Sequence, residues 1–404
     1  MAILLFNNVY IPSGCYWSSP FVRWQGSIAH LNAILFAAEI ANRTLQKCNI
    51  LPSNLDTIHL GITIPQKNSF YGQTWLSGLI GAPNITGSMI SQACATSARV
   101  MAIAASEIES NQEKNYTILA VTCDRTSNGP HILYPNPYAP GGKADFENWV
   151  WDNFNHDPYA KNAMIQTAEN VAKEEDITRE MQEEATILRY NQYNKALENN
   201  GEFLRRFMNI PVEIKIGKKT SAHEGDEGVY ATSEEGLANL SPVIKDGTVT
   251  FGTQTHPADG NCGMILTTKE NAQTLSLDKD FEIQLLSFGQ ARSKKGFMPT
   301  APVPAANRAL EAAHLSVLDI DSFKLHNPFA VNDIYFSQKM DISLDSVNNY
   351  GSSLVYGHPQ APTGMRLLIE LIEELKLKNG GNGLFAGCSA GDSAASIVIK
   401  VSKN

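Results

Sequence analysis

Residues 90–123 read ISQACATSARVMAIAASEIESNQEKNYTILAVTC, and this stretch decides the fold class. Val100, Met101, Ala104 and Ile108 recur at three- and four-residue spacing, which predicts a helix over 95–108 with one apolar face. The run TILAVTC at 117–123 is apolar without alternation, as in a strand covered on both faces. Upstream, TIHLGIT at 57–63 is a second such strand, and Ile28, Leu31, Leu35, Ala38 and Ala41 predict an earlier helix. The opening MAILLFNNVYIP reads as a first strand. Downstream of Thr248 the rhythm resumes, with strands predicted at 263–268, 281–288, 384–388 and 395–401 and helices at 302–314 and 364–376. Short apolar strands alternating with helices define an α/β protein.

Residues 124–246 break this rhythm. They collect Pro130, Pro135, Pro137, Pro140 and the pair Gly141–Gly142, then a charged helical segment at 174–198 and a tail rich in Lys and Glu. Such a stretch predicts an insertion with its own helices between two sheet strands. The expected division is a first α/β half made of 1–123 plus 247–272, a loop domain at 124–246, and a second half at 273–404.

Composition narrows the function. A chain of 404 residues with 43% hydrophobic and 18% charged residues suits a well-buried enzyme of two or three units, or one large pseudo-repeated domain. With 32 Lys+Arg against 41 Asp+Glu and a net charge of −9, there is no global basic field, so neither nucleic acid nor an anionic membrane is expected as the main partner. No run of about 18 apolar residues predicts a transmembrane helix. The N-terminal residues lack a basic region and a small-residue cleavage site. The 6 cysteines form no CxxC pair, so a zinc knuckle or disulfide framework is not expected, and a reducing cytoplasm is.

Four short segments carry chemistry. Cys94 opens the helix at 95–108, where the positive end of the helix dipole is expected to lower a thiol pKa; a buried core cysteine is the competing account. His358 sits on the Gly/Pro-rich turn GHPQAPTG at 357–364, rigid enough to hold a general base. GCSAGD at 387–392 places Cys388 beside a tight turn whose backbone N–H groups, Ala390 among them, can face an oxyanion. LHNPFA at 325–330 carries His326 and, alone, is an ordinary strand exit.

Together these segments resemble the thiolase superfamily. Its members place a nucleophilic cysteine at a helix start near residue ninety and carry Asn-Glu-x-Phe-Ala, Gly-His-Pro-x-Gly-x-(Ser/Thr)-Gly and Cys-x-Gly-Gly motifs. SNGP at 127–130, TAENVA at 167–172, GTVT at 247–250 and PTAPVPA at 299–305 are similar to the segments between. The departures are His326 for the Asn, Ala361 and Ala390 for two glycines, and Ala163 for a His that precedes Met164 in many acetoacetyl-CoA thiolases. Thr255 and His256 stand where a Ser-Gly pair meets the pantetheine in the family.

The resemblance implies a thiolase-like fold, with two similar halves in a five-layered αβαβα core and an inserted loop domain. It implies thiolytic cleavage of a 3-oxoacyl-CoA, or the reverse Claisen condensation, through an acyl-cysteine, in fatty acid or aromatic degradation. Cys94 is then the nucleophile, His358 its base and Cys388 the acid/base at the alpha carbon. One oxyanion hole comprises the Cys94 and Ala390 N–H groups, and the other His326 Nε2. Ala163, Met164, Thr255 and His256 line the substrate site, and Lys218 is the candidate for the CoA 3′-phosphate, weighed against a solvated charge. No metal or bound cofactor is expected beyond CoA as co-substrate. The implied partners are a homodimer or homotetramer and, with an altered pocket, a small accessory subunit. A ketosynthase-like condensing enzyme (one cysteine, two histidines) and a non-catalytic acyl-CoA or lipid-binding protein are the alternatives.

Overall fold

A computed structural model describes residues 3–111, 115–208, 210–216 and 219–404. Two mixed sheets form its frame. The first runs Tyr16–Ser18, Ala258–Thr267, Thr117–Arg125, Thr57–Gly61, Met89–Ile90, with Val22–Arg23 also paired to Ala258–Thr267. The second runs Ile3–Leu5, Phe281–Arg292, Ser393–Lys403, Gly381–Ser389, Ser322–His326. In each, a parallel pair (Thr57–Gly61 with Thr117–Arg125, Ser322–His326 with Gly381–Ser389) is followed by antiparallel pairs, so the halves repeat one plan.

The layering follows from how the strands divide their side chains. Along Thr117–Arg125, Leu119, Val121 and Cys123 enter an outer cluster with helix Ala33–Lys47, while Ile118 and Ala120 enter an inner one. Helices Thr96–Ser110 and Gln360–Leu377 fill that inner cluster between the two sheets. Helices Pro302–Ala312 and Ala330–Met340 cover the far face of the second sheet. Helix, sheet, helix, sheet, helix is the expected five-layered arrangement.

Every residue from Ala361 to Lys376 is buried, charged ones included. Arg366 is satisfied by Glu370 at 2.9 Å and by both oxygens of Asp226 at 2.7 and 2.8 Å. Lys324 reaches Glu374 at 3.2 Å, and Arg206 reaches Glu373 at 2.6 Å. Losing one partner from such a pair would strand a buried charge, so Asp226 and Arg206 fix the inserted segment, and Lys324 the second sheet, against the central helix.

Most boundaries shift by a few residues from those expected, and one shift is informative. The first helix begins at Ala33, because Asn32 Oδ1 accepts the Ile34 and Leu35 N–H groups and caps it. Ile28 and Leu31 therefore lie in the preceding turns, and their helical spacing was coincidental. The charged helix starts at Arg179 and runs to Arg205, breaking its helical backbone at 198–201. It follows the separate helix Met164–Glu174.

Candidate active site

The four chemical segments converge where the two halves meet. Cys94 lies two residues before helix Thr96–Ser110, on a bend in which Ala93 takes φ +42°. That left-handed conformation costs a non-glycine residue energy and is held by its surroundings. Thr96 Oγ1 donates to Ala93 O at 2.7 Å and accepts the Gln92 N–H at 2.8 Å. Ser389, from the other half, donates to Gln92 O at 2.9 Å and accepts the Ala95 N–H at 3.3 Å. The Cys94 bend and the Cys388 strand end are thus tied by one hydroxyl.

His358 Nε2 lies 3.2 Å from Cys94 Sγ, and its Nδ1 lies 2.7 Å from Thr363 Oγ1. The Thr363 hydroxyl has one proton and donates it to Pro359 O at 2.6 Å. The imidazole must then donate from Nδ1, which assigns the Nδ1–H tautomer and leaves an Nε2 lone pair facing the thiol. Gly357, at φ +90°, makes this turn possible: a Cβ there would meet His256 Nε2 at 2.6 Å. Asp124, wholly buried, accepts Ala361 N–H at 2.7 Å and Thr63 N–H at 2.8 Å, pinning the turn to the first sheet.

The expectation of a dipole-lowered thiol does not hold. Burial pushes Cys94 up to about 12, against the pull of the Ala390 and Cys94 backbone N–H groups. Burial, with His326 alongside, drives His358 well below its usual range. The resting pair is a neutral thiol against a neutral imidazole, because desolvation disfavours both charged forms. The same two N–H groups bear on the sulfur, where the expected first oxyanion hole would be.

His326 stacks at a tilt on His358, ring centroids 4.1 Å apart. Its Nδ1 is 2.9 Å from Ser353 Oγ, which donates to Asn327 Oδ1 at 3.0 Å. Asn327 is oriented by its Nδ2 donating to Asp333 at 2.7 Å, and Asp333 in turn binds Arg189 at 2.9 Å. The chain of donors assigns the His326 proton to Nδ1 as well. Its Nε2 is buried without a hydrogen-bond partner among the described residues, and burial lowers its pKa to about 3. At rest this atom is an acceptor, whereas the sequence reading made it a donor. Cys388 is fully buried and accepts from Asn332 Nδ2 at 3.3 Å; burial and Cys94 raise its pKa.

The substrate-side candidates are more dispersed. Met164 packs against the cluster that contains Cys388, Phe329 and Met298, and Ala163 is the residue before its helix. Thr255 is a clamp: its N–H donates to Pro328 O at 2.8 Å and its hydroxyl to Ser353 O. His256 accepts the His358 N–H through its backbone at 2.9 Å, while its ring meets Tyr230 edge-on, centroids 6.3 Å apart. Lys218 lies outside the described residues. Sequence reasoning missed Ser353, Asn332, Asp124 and the role of Thr363, although Thr363 sits in the quoted turn.

Thr363→Val should leave Cys94 and His358 in place but release the tautomer lock. One neutral hydrogen bond supplies about 1 kcal/mol, so kcat should fall roughly fivefold with KM little changed. Thr363→Ser should restore it. A loss in Thr363→Ser with none in Thr363→Val would show that the methyl, not the hydroxyl, matters.

Two buried thiols and two imidazoles thus meet at the seam of two like α/β halves, an arrangement able to carry an acyl group on sulfur. A family model described as the thiolase N-terminal domain matches residues 17–270, and one for the thiolase C-terminal domain matches 281–401. The acetyl-CoA acetyltransferase of Escherichia coli K12 is 28% identical over 386 residues, covering 93% of this chain and 95% of that protein. The 3-ketoacyl-CoA thiolase of Bacillus subtilis is 27% identical over 393 residues, covering 93% and 95%. The crystal structure of the Bacillus anthracis acetyl-CoA acetyltransferase superposes with a TM-score of 0.89 at 25% identity, over 98% of this chain and 99% of that one. The chain belongs to the thiolase family, as a thiolase-type acyltransferase.

Proposed function

We propose that the chain cleaves a 3-oxoacyl-CoA with free CoA, or runs the reverse condensation, through an acyl group on Cys94. The observation that carries this reading is the 3.2 Å approach of the His358 Nε2 lone pair to Cys94 Sγ, with Cys388 in the same buried seam. His358 takes the thiol proton as sulfur attacks the 3-oxo carbonyl. The bond between C2 and C3 breaks, and the Cys388 thiol protonates the departing acetyl-CoA enolate at C2. CoA thiol then loses its proton to the Cys388 thiolate and attacks the acyl-cysteine, and His358 returns its proton to the leaving Cys94 sulfur. All protons are restored after one turnover. A neutral resting pair suits this cycle, since no charge waits in the dry site before substrate arrives.

The Cys94 and Ala390 N–H groups hold the acyl oxyanion in this reading, and removing one such donor typically costs about 3 kcal/mol. His326 serves the enolate oxygen in its Nε2–H tautomer, reached when Nδ1 releases its proton to water, Nε2 takes one from water, and the Ser353 hydroxyl turns from Asn327 Oδ1 to donate to Nδ1, 2.9 Å away. CoA binds on the side of the loop domain, residues 124–246. The human mitochondrial 3-ketoacyl-CoA thiolase solved with CoA shares the fold at TM-score 0.87 and 22% identity. The proposal extends to a cytoplasmic homo-oligomer with no resident cofactor.

Ala163 supplies no imidazole beside Met164, which enlarges the space around a short acyl chain. Lost methylene-sized contacts shift discrimination by about 1–3 kcal/mol each. A panel of 3-oxoacyl-CoA substrates with free CoA tests the whole reading. The kcat/KM for a chain of about six carbons or more should exceed that for acetoacetyl-CoA. A preference for acetoacetyl-CoA would overturn the wide pocket, and no thiolysis of any member would overturn the function.

A further inference from the structure

Cys94, His326 and His358 each offer a ligand atom within 4.8 Å of the other two, and all three residues are buried. We propose that this trio is a site for one zinc ion, which occupies the catalytic centre and blocks acylation. The donor set is one sulfur and two imidazole nitrogens, a combination that tetrahedral zinc accepts with its fourth position open. His326 is the residue that completes it, since an Asn there would leave a two-ligand pair.

Three features go beyond mere proximity. The His326 Nε2 atom is buried and has no hydrogen-bond partner among the described residues, in a residue only 1% exposed. A buried lone pair without a donor is costly, and a cation would satisfy it. Second, both histidines already have the outer contacts that metal-binding histidines use: His358 Nδ1–H to Thr363 Oγ1 at 2.7 Å and His326 Nδ1–H to Ser353 Oγ at 2.9 Å. Each contact fixes the tautomer that presents Nε2 as the ligand atom. Third, the Sγ to Nε2 separation of 3.2 Å needs to open by only about 0.4 Å to reach the span of about 3.6 Å that tetrahedral bonds near 2.3 Å to sulfur and 2.0–2.1 Å to nitrogen set.

Binding replaces the thiol proton by the metal: zinc gains one thiolate and two imidazoles, and one proton leaves to solvent. No oxidation is involved. The metal uses the Nε2 lone pair of the resting His326 tautomer, whereas the enolate needs the Nε2–H tautomer, so metal and substrate draw on alternative settings of Ser353. Inhibition rests on Cys94 being the nucleophile; binding does not, and the two are read separately.

The full-length protein is titrated with Zn2+ by calorimetry and with Co2+ by absorbance, in parallel with turnover. One equivalent per chain is expected, with the visible bands of tetrahedral Co2+ and a sulfur-to-cobalt charge-transfer band, and loss of turnover tracking occupancy. His326→Asn should weaken Zn2+ binding by at least about tenfold, as losing a first ligand should cost no less than losing its outer partner. Cys94→Ser should remove the charge-transfer band. Prior acylation of Cys94 should block binding, which serves as the check should either variant fold poorly. Cys48→Ser, remote from the trio, should leave binding unchanged. Stoichiometric binding that survives acylation and both trio variants, or no binding at micromolar Zn2+, would overturn the site.

Discussion

Cys94→Ala should reduce thiolysis by at least about four orders of magnitude, the scale seen when a catalytic nucleophile is removed from a site acting as a unit. His358 then faces a methyl, and among the described residues the other thiols sit in different surroundings: Cys123 and Cys262 are buried within the first sheet, and Cys388 is held by Asn332. The fold should survive, because the bend is held by Ser389 and Thr96 rather than by the thiol. Wild-type protein given 3-oxoacyl-CoA without free CoA should gain one acyl group on the Cys94 peptide by mass spectrometry. An adduct on Cys123 or Cys388 would defeat the assignment.

Cys388→Ser divides the two half-reactions. Acylation of Cys94 by an activated acyl-CoA should continue, since His358 supplies that proton transfer. Exchange of the acetyl-CoA alpha protons in heavy water should fall by about 10²–10⁴, the usual contribution of a positioned acid or base. A buried serine hydroxyl is a far weaker acid than a thiol, yet it keeps the contact with Asn332 Nδ2 and so separates chemistry from packing. Exchange at the wild-type rate would make Cys388 structural and move the alpha proton to His326.

The apolar strands and the helix that follows Cys94 were legible in the chain, because composition and periodicity report on local backbone and on burial; the grouping of Cys94, His326, His358 and Cys388 came from the resemblance of their four segments to thiolase motifs. Neighbours distant in sequence were not legible. Ser353 reads as an unremarkable serine until folding sets it 2.9 Å from His326 and 3.0 Å from Asn327 Oδ1. Asn332 looks like a helix residue, and only the packing of Ala330–Met340 on the second sheet brings it to Cys388.

Protonation was the other gap. From the chain, Cys94 at a helix start suggests a lowered pKa; in the fold its sulfur is buried, and desolvation outweighs the dipole and raises it to about 12. Likewise the sequence supplies two histidines, but which nitrogen carries each proton depends on Thr363 donating to Pro359 and Ser353 donating to Asn327. The sequence determined which reactive groups the protein owns and the layers that carry them. The tertiary structure alone decided their charge and their tautomers, because these depend on the dielectric and on the partners that the fold assembles.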